Sequence, residues 1–481
     1  MDLKSRKSIR SRRDFLQQSG WGLGTIALWN LLAREGRAGL PAEGLPSVNL
    51  LAPKAPHFNP TAKNVILLFM AGGPSHLDLF DPKPGMSKWE GKPLPESMRK
   101  AIDVAFVKPT ANVWASPRSF KAQGECGMEL SDLLPHTAKR VDDICLIRSM
   151  FTDQVNHHPA QLMMSCGSGL GGRPAMGSWV TYGLGSTSEN LPGFVVLSSG
   201  GGTSAGSGTW ASGFLPSSYE GVPMRSQGDP VLHLSNPPGL SRQEQRARLD
   251  VLRELNEQRY LRTGDREIAA RIASYELAFR MQASCPELLD FSKESARTLE
   301  TYGVQNELSG PFATNCLLAR RMVERGVRFV QVLHNGWDHH GKLNAGLEKL
   351  CGATDQATGA LLKDLKERGL LDSTLVIWGG EFGRTPIVEN RSGDKNGKGR
   401  DHHRLAFSMW MAGGGIKGGQ VIGRTDDLGF SVLEDKVHVH DLHATILHCL
   451  GLSHTQLTYR HQGREFRLTD VAGEVVEKVL A

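Results

Sequence analysis

Four short segments concentrate the side chains able to do chemistry. Ser75, His76 and Asp78, with Asp81 just beyond, follow the apolar run Val-Ile-Leu-Leu-Phe-Met, residues 65–70, and the glycine pair Gly72-Gly73. Gly336-Trp337-Asp338-His339-His340 follows Val330–Leu333, and Gly379-Gly380-Glu381-Phe382-Gly383-Arg384-Thr385 follows Leu375–Trp378. Gly399-Arg400-Asp401-His402-His403 stands just ahead of Phe407–Met411. Asp, Ser and Pro are also ordinary turn formers, and a lone loop histidine is more often structural. Several separate clusters at strand ends are harder to read that way. Imidazole with carboxylate and without thiolate suits divalent zinc, manganese or iron, whereas an all-oxygen set suits calcium or magnesium. Carboxylates gathered in one crevice repel one another, and a bound cation is the usual resolution. The expected cofactor is a divalent metal ion, zinc or manganese ahead of calcium.

Such residues need strands to present them, because ligands of an α/β sheet bind outside the carboxyl ends of its strands. Strand-like runs recur at 64–70, 144–148, 194–197, 328–333, 374–378 and 407–411. Between them, Leu343, Leu347, Leu350, Ala353, Ala357, Leu361 and Leu365 recur at three- and four-residue steps and predict a helix over 343–368, stopped by Gly369. Helix, glycine stop and fully apolar strand together predict a mostly parallel sheet covered on both faces. Residues 241–302 are charged and helix-periodic and read as a helical excursion, while 200–213 and 390–399 are rich in glycine and polar residues and read as loops.

Composition narrows the function classes. Ser11-Arg12-Arg13-Asp14-Phe15-Leu16 is a twin-arginine pattern ahead of a weakly apolar stretch, so residues 1–38 read as an export signal. The expected location is periplasmic or extracellular, with the twin-arginine export machinery as a partner. The apolar stretch is too short to span a bilayer. Residues 1–38 carry +5 of the formal net charge of +6, so the basic balance is a targeting feature. No basic cluster interleaved with aromatics suggests nucleic acid. Seven cysteines without a CxxC pair suggest neither a disulfide framework nor a thiolate zinc site.

The chain resembles the DUF1501 family of sulfatase-like exported proteins in the alkaline phosphatase-like superfamily. The likeness is carried by the twin-arginine start, FMAGGPSHLDLFDPKPG at 69–85, GRPAMGSWVTYGLG at 172–185, GWDHH at 336–340, GGEFGRTP at 379–386, GRDHH at 399–403, MAGGGIKGGQVIGRTD at 411–426, HDLHATILHCLG at 440–451 and GREFRLTD at 463–470. It implies an α/β three-layer sandwich, with a mostly parallel central sheet and a helical insertion, spanning residues 60–470 as one domain. Asp338 and His340 resemble the aspartate and histidine that hold one superfamily metal. Glu381 stands in the slot of another ligand aspartate, and His402 resembles the final metal histidine. Asp441 and Thr445 resemble a structural helix motif and take no catalytic role.

Departures from the pattern bear on the chemistry. An aspartate pair is replaced by Ala71-Gly72-Gly73, leaving His76 or Asp78 as substitute ligands. Phe382 fills a histidine slot and cannot bind metal. The formylglycine position of sulfatases is matched by His157, in His157-His158-Pro159-Ala160-Gln161, which excludes that mechanism. Three catalytic routes remain: His157 as covalent nucleophile or acid/base, metal-activated water with His157 and Arg384 assisting, or Ser75 as nucleophile. A rival reading makes His157 a metal ligand. The expected activity is hydrolysis of sulfate or phosphate esters of small molecules or polysaccharides. The alternative is a non-catalytic binder of anionic glycans or phosphoesters.

Overall fold

Successive side chains of a strand point to opposite faces, and the first strand is apolar on both. Val65, Leu67 and Phe69 join one hydrophobic cluster, while Ile66, Leu68 and Met70 join another. Such a strand is stable only in the middle of a covered sheet. The computed structural model describes residues 50–481 except 102–107, 109–110, 227–230, 232–233 and 390–396. The expected export signal, residues 1–38, lies outside the described residues, as does most of the expected 390–399 loop.

The strands used below are β1 (Asn64–Ala71), β2 (Ile144–Phe151), β3 (Phe194–Ser199), β4 (Val222–Met224), β5 (Phe329–Asn335), β6 (Thr374–Gly379), β7 (Gly383–Glu389), β8 (Gly399–His403), β9 (Phe407–Ala412), β10 (Gln420–Ile422) and β11 (Val437–His438). The helices are α1 (His76–Leu79), α2 (His157–Cys166), α3 (Met176–Leu184), α4 (Arg242–Thr263), α5 (Arg266–Leu289), α6 (Gly310–Glu324), α7 (Leu343–Glu367) and α8 (Val439–Cys449).

Nine strands form the central sheet in the order β4-β3-β5-β1-β6-β9-β2-β10, with β11 also paired to β2. β9 runs antiparallel to β6 and β2, and the other pairings are parallel. Residues of α6 and α7, among them Leu317, Leu347 and Leu361, bury one face. Residues of α2, α3 and α8, among them Leu162, Trp179 and Ile446, bury the other. The three-layer α/β architecture expected from the sequence is the one observed.

Topology then dictates where the site must be. The carboxyl ends of β1, β2, β5 and β6 lie on one edge, and the start of the antiparallel β9 lies there too. The segments after Ala71, Phe151, Asn335 and Gly379 and before Phe407 therefore meet at a single rim.

α7 ends as the sequence predicts. Gly369 takes a left-handed φ of 67°, with Gly369 N–H on the Lys366 carbonyl and Leu370 N–H on the Leu365 carbonyl. The excursion is helical as expected: α5 buries Ile268, Met281 and Leu288, whereas α4 packs on α5 and has no buried residue. Segments 379–385 and 399–403, expected to lie at strand ends, are not simply loops: Gly383–Glu389 and Gly399–His403 pair as the antiparallel ribbon β7–β8. None of the seven cysteines is in a disulfide, and six are buried. Among the described residues no helix is long and apolar enough to cross a membrane.

Candidate metal centre

The loop after β5 is pinned by its tryptophan. Trp337 is fully buried, edge-on to Trp378 at 5.9 Å between ring centroids, and its backbone N–H donates to the Ala71 carbonyl. Gly72 makes the close approach possible: its φ is 121°, and a Cβ there would lie 2.5 Å from Asp338 N. Asp338 is thereby turned outward over the rim, with its side chain 41% exposed.

Three imidazoles converge on one oxygen of that carboxylate. Nε2 of His340 lies 2.9 Å from Asp338 Oδ1, Nε2 of His157 3.2 Å and Nε2 of His402 3.3 Å. Nε2 of His340 and Nε2 of His402 are 3.0 Å apart. The three come from different elements: His157 starts α2 behind the loop after β2, His340 follows β5, and His402 lies in β8. Nδ1 of each ring is already committed. His157 Nδ1 donates to Glu381 Oε1 at 2.7 Å, His340 Nδ1 to Glu389 Oε2 at 2.5 Å, and His402 Nδ1 to the Val155 carbonyl at 2.8 Å. Carboxylates and carbonyls only accept, so each Nδ1 carries a hydrogen, and in the neutral ring, the form that binds a cation, Nε2 then turns a lone pair inward.

The electrostatics reflect this crowding. Burial works against protonating His157, but the carboxylates of Asp338 and Glu381 outweigh it and raise its pKa to about 9. Burial would raise Asp338, yet His157, His340, His402 and Arg384 hold it far below the usual carboxylate range. Burial and the positive neighbours lower His402.

The sequence candidates therefore divide. Asp338, His340, His402 and His157 are brought together, their ligand atoms within 4.8 Å of one another. Glu381, expected as a ligand, is a correction: it is fully buried behind His157, and its carboxylate accepts from Gly72 N at 3.0 Å and Gln161 Nε2 at 3.0 Å. Arg384, expected to meet an oxyanion, is also fully buried. It donates to the carbonyls of Gly73 at 2.8 Å and Arg400 at 3.0 Å, and to Asp338 Oδ1 at 2.7 Å, so it braces Asp338 rather than facing solvent.

Ser75, His76 and Asp78 do not join the cluster. Ser75 Oγ donates to Asp78 Oδ2 at 2.5 Å, and Asp78 forms a fully buried pair with Arg400 Nε at 2.8 Å. Burial pushes the Asp78 pKa up, and Arg400 more than reverses it. His76 Nε2 lies 3.1 Å from the Gly429 carbonyl. Ser75 and Asp78 hold the β7–β8 ribbon in place through Arg400, whereas His76 is tied to the backbone at Gly429. Asp441 and Thr445 order α8 and the C-terminal segment, accepting from Glu474 N and Val476 N.

The donor set fits a divalent ion. His157 Nε2 is buried and makes no hydrogen bond, although it lies 3.2 Å from Asp338 Oδ1. Two nitrogens 3.0 Å apart are close enough for one ion to be shared between them, a little nearer than the roughly 3.3 Å of a tetrahedral zinc site. Residues to which sequence reasoning gave no role at the site orient these rings: Glu389 and the Val155 carbonyl directly, Gln161 through Glu381. Only Gln161 carries a local signal, being one helical turn beyond His157.

The family described as "Protein of unknown function (DUF1501)" matches residues 62–480. No curated protein matches the chain. Among solved structures the chain is similar to the alkaline phosphatase from the Antarctic bacterium TAB5, at 14% identity and a TM-score of 0.32, covering 81% of this chain and 98% of that one. It is similar to the PsFucS1 sulfatase from Pseudoalteromonas sp., at 13% identity and a TM-score of 0.35, covering 89% and 71%. It is also similar to the lipoteichoic acid synthase LtaP from Listeria monocytogenes, at 9% identity and a TM-score of 0.32, covering 88% and 79%.

Proposed function

We propose that this chain, which belongs to the DUF1501 family, is an exported divalent-metal-dependent hydrolase of sulfate or phosphate esters, those of polysaccharides included. The observation that carries the reading is the convergence of three Nε2 atoms and Asp338 Oδ1, each imidazole held from behind by its own acceptor. Three imidazoles and a carboxylate favour zinc or manganese over calcium.

His157, His340, His402 and Asp338 would hold the ion. A bound divalent cation supplies Lewis acidity towards a sulfuryl or phosphoryl oxygen and lowers the pKa of water towards neutrality. Glu381 and Glu389 keep His157 and His340 in the Nδ1–H form, and Arg384 fixes Asp338 from the buried side. The exposed flank of Asp338 is the side from which an ester would approach. With Nδ1 on Glu381 and Nε2 turned to Asp338, His157 is better placed as a ligand than as a covalent nucleophile. Ser75, bonded to buried Asp78, is poorly placed for attack. The twin-arginine pattern in residues 1–38 supports export.

The test is metal analysis of purified protein, followed by assay of aryl sulfates, phosphomonoesters and phosphodiesters. One ion per chain is expected, with hydrolysis abolished by chelator and by Asp338→Ala. Stoichiometric metal without turnover of any ester would make the protein a binder of anionic glycans or phosphoesters. Absence of metal would overturn the reading.

A further inference from the structure

α2 begins at His157, and Gln161, four residues on, lies on the same side of the helix. Its amide is buried and engaged at both ends. Nε2 donates to Glu381 Oε1 at 3.0 Å, the same oxygen that accepts from His157 Nδ1 at 2.7 Å. Oε1 accepts from Ala205 N at 3.1 Å. Ala205 belongs to the segment from Gly200 to Thr209, rich in glycine and serine, that follows β3. That segment is tied to the rim again where His158 Nδ1 donates to the Ser204 carbonyl at 3.0 Å and Asn335 Nδ2 donates to the Gly202 carbonyl. An unbroken path of hydrogen bonds thus runs from the loop backbone through Gln161 and Glu381 to His157.

Resting on the reading of His157 as a metal ligand, we propose that Gln161 is a positioning residue: its amide aims Glu381 at His157 and couples the seating of the 200–209 loop to cation binding. The site needs one donor and one acceptor on the same planar group, which an amide supplies. Glutamate of the same shape keeps the acceptor for Ala205 N–H, loses the donor, and faces Glu381 with a second carboxylate. Methionine fills similar volume with neither. A ligand-orienting partner of this kind carries roughly 10–100-fold in metal affinity.

The experiment measures zinc affinity, by competition with a chromophoric chelator, and hydrogen exchange of the peptide containing Ala205, in wild type, Gln161→Glu and Gln161→Met. Thermal unfolding of each variant serves as the check on folding. Gln161→Met is expected to bind zinc about 10–100-fold more weakly and to exchange faster at Ala205. Gln161→Glu is expected to weaken zinc similarly while Ala205 stays protected, a split that a space-filling role would not produce. Wild-type zinc affinity in either folded variant overturns the proposal. Should Gln161→Glu fail to fold, the two readouts on Gln161→Met decide it. If wild type itself binds no metal, the hydrolase reading fails, and the Ala205 exchange in Gln161→Met still decides the link to the loop: faster exchange upholds it and unchanged exchange removes it.

Discussion

His157 sits between two carboxylates, and that position makes its proton and a cation competitors. Its pKa of about 9 in the metal-free protein lies above the roughly 6.5 of an unfolded histidine. Its contribution to stability is therefore fully present below pH 6.5 and is lost as pH rises towards 9. Metal-free protein should lose stability over that interval in chemical denaturation, and His157→Gln should remove that component. Zinc affinity should move the other way, strengthening up to tenfold per pH unit towards pH 9 because the bound form needs the neutral ring. A flat affinity from pH 6 to 9 would show that His157 is no ligand. At this scale the sequence exposed the residue types that cluster, since GWDHH supplies Asp338 and His340 and GRDHH supplies His402. It assigned Glu381 one layer too close, because a motif reports side-chain type and not depth. Glu389 and Gln161 carry their meaning through partners 49 and 220 residues away, which no local spacing reveals.

Among elements, the end of β1 is the most exacting. Gly72 combines a φ of 121° with a backbone neighbour 2.5 Å from where a Cβ would stand. Gly72→Ala should cost about 1–3 kcal/mol from the backbone conformation alone and more from displacement of Asp338. Urea denaturation and zinc titration of this variant should both register the loss. The six apolar strands were legible because each is buried on both faces, so hydrophobicity marks them without help from partners. The β7–β8 ribbon was not. Its sequences contain Pro386, two glycines and charged residues, and they become strands only by pairing with each other and by the Asp78–Arg400 brace. The helical excursion divides in the same way. Met281→Ala on α5 should cost about 2–5 kcal/mol, whereas Leu252→Glu on α4, 42% exposed, should change stability by no more than about 0.5 kcal/mol. Equal effects in thermal denaturation would contradict the packing described.

Over the whole molecule, residues 157, 338, 340 and 402 meet only because the parallel strands deliver their ends to one rim. No segment holds the complete set, so the site exists only once the sheet is assembled. Zinc at a hundredfold excess over its dissociation constant should stabilise the chain by about 2.7 kcal/mol, and Asp338→Asn should abolish most of that gain in differential scanning calorimetry. The parallel architecture could be read from alternating helix and strand patterns, but the meeting of these four residues depends on strand order, which those patterns do not encode. One further consequence follows from Glu381, Glu389 and the Val155 carbonyl gripping the outer nitrogens. Rings fixed by acceptors of the protein itself should need no refolding to load an ion. A chain stripped by chelator should keep its circular dichroism spectrum and recharge on simple mixing, at a rate set by diffusion and the shedding of water.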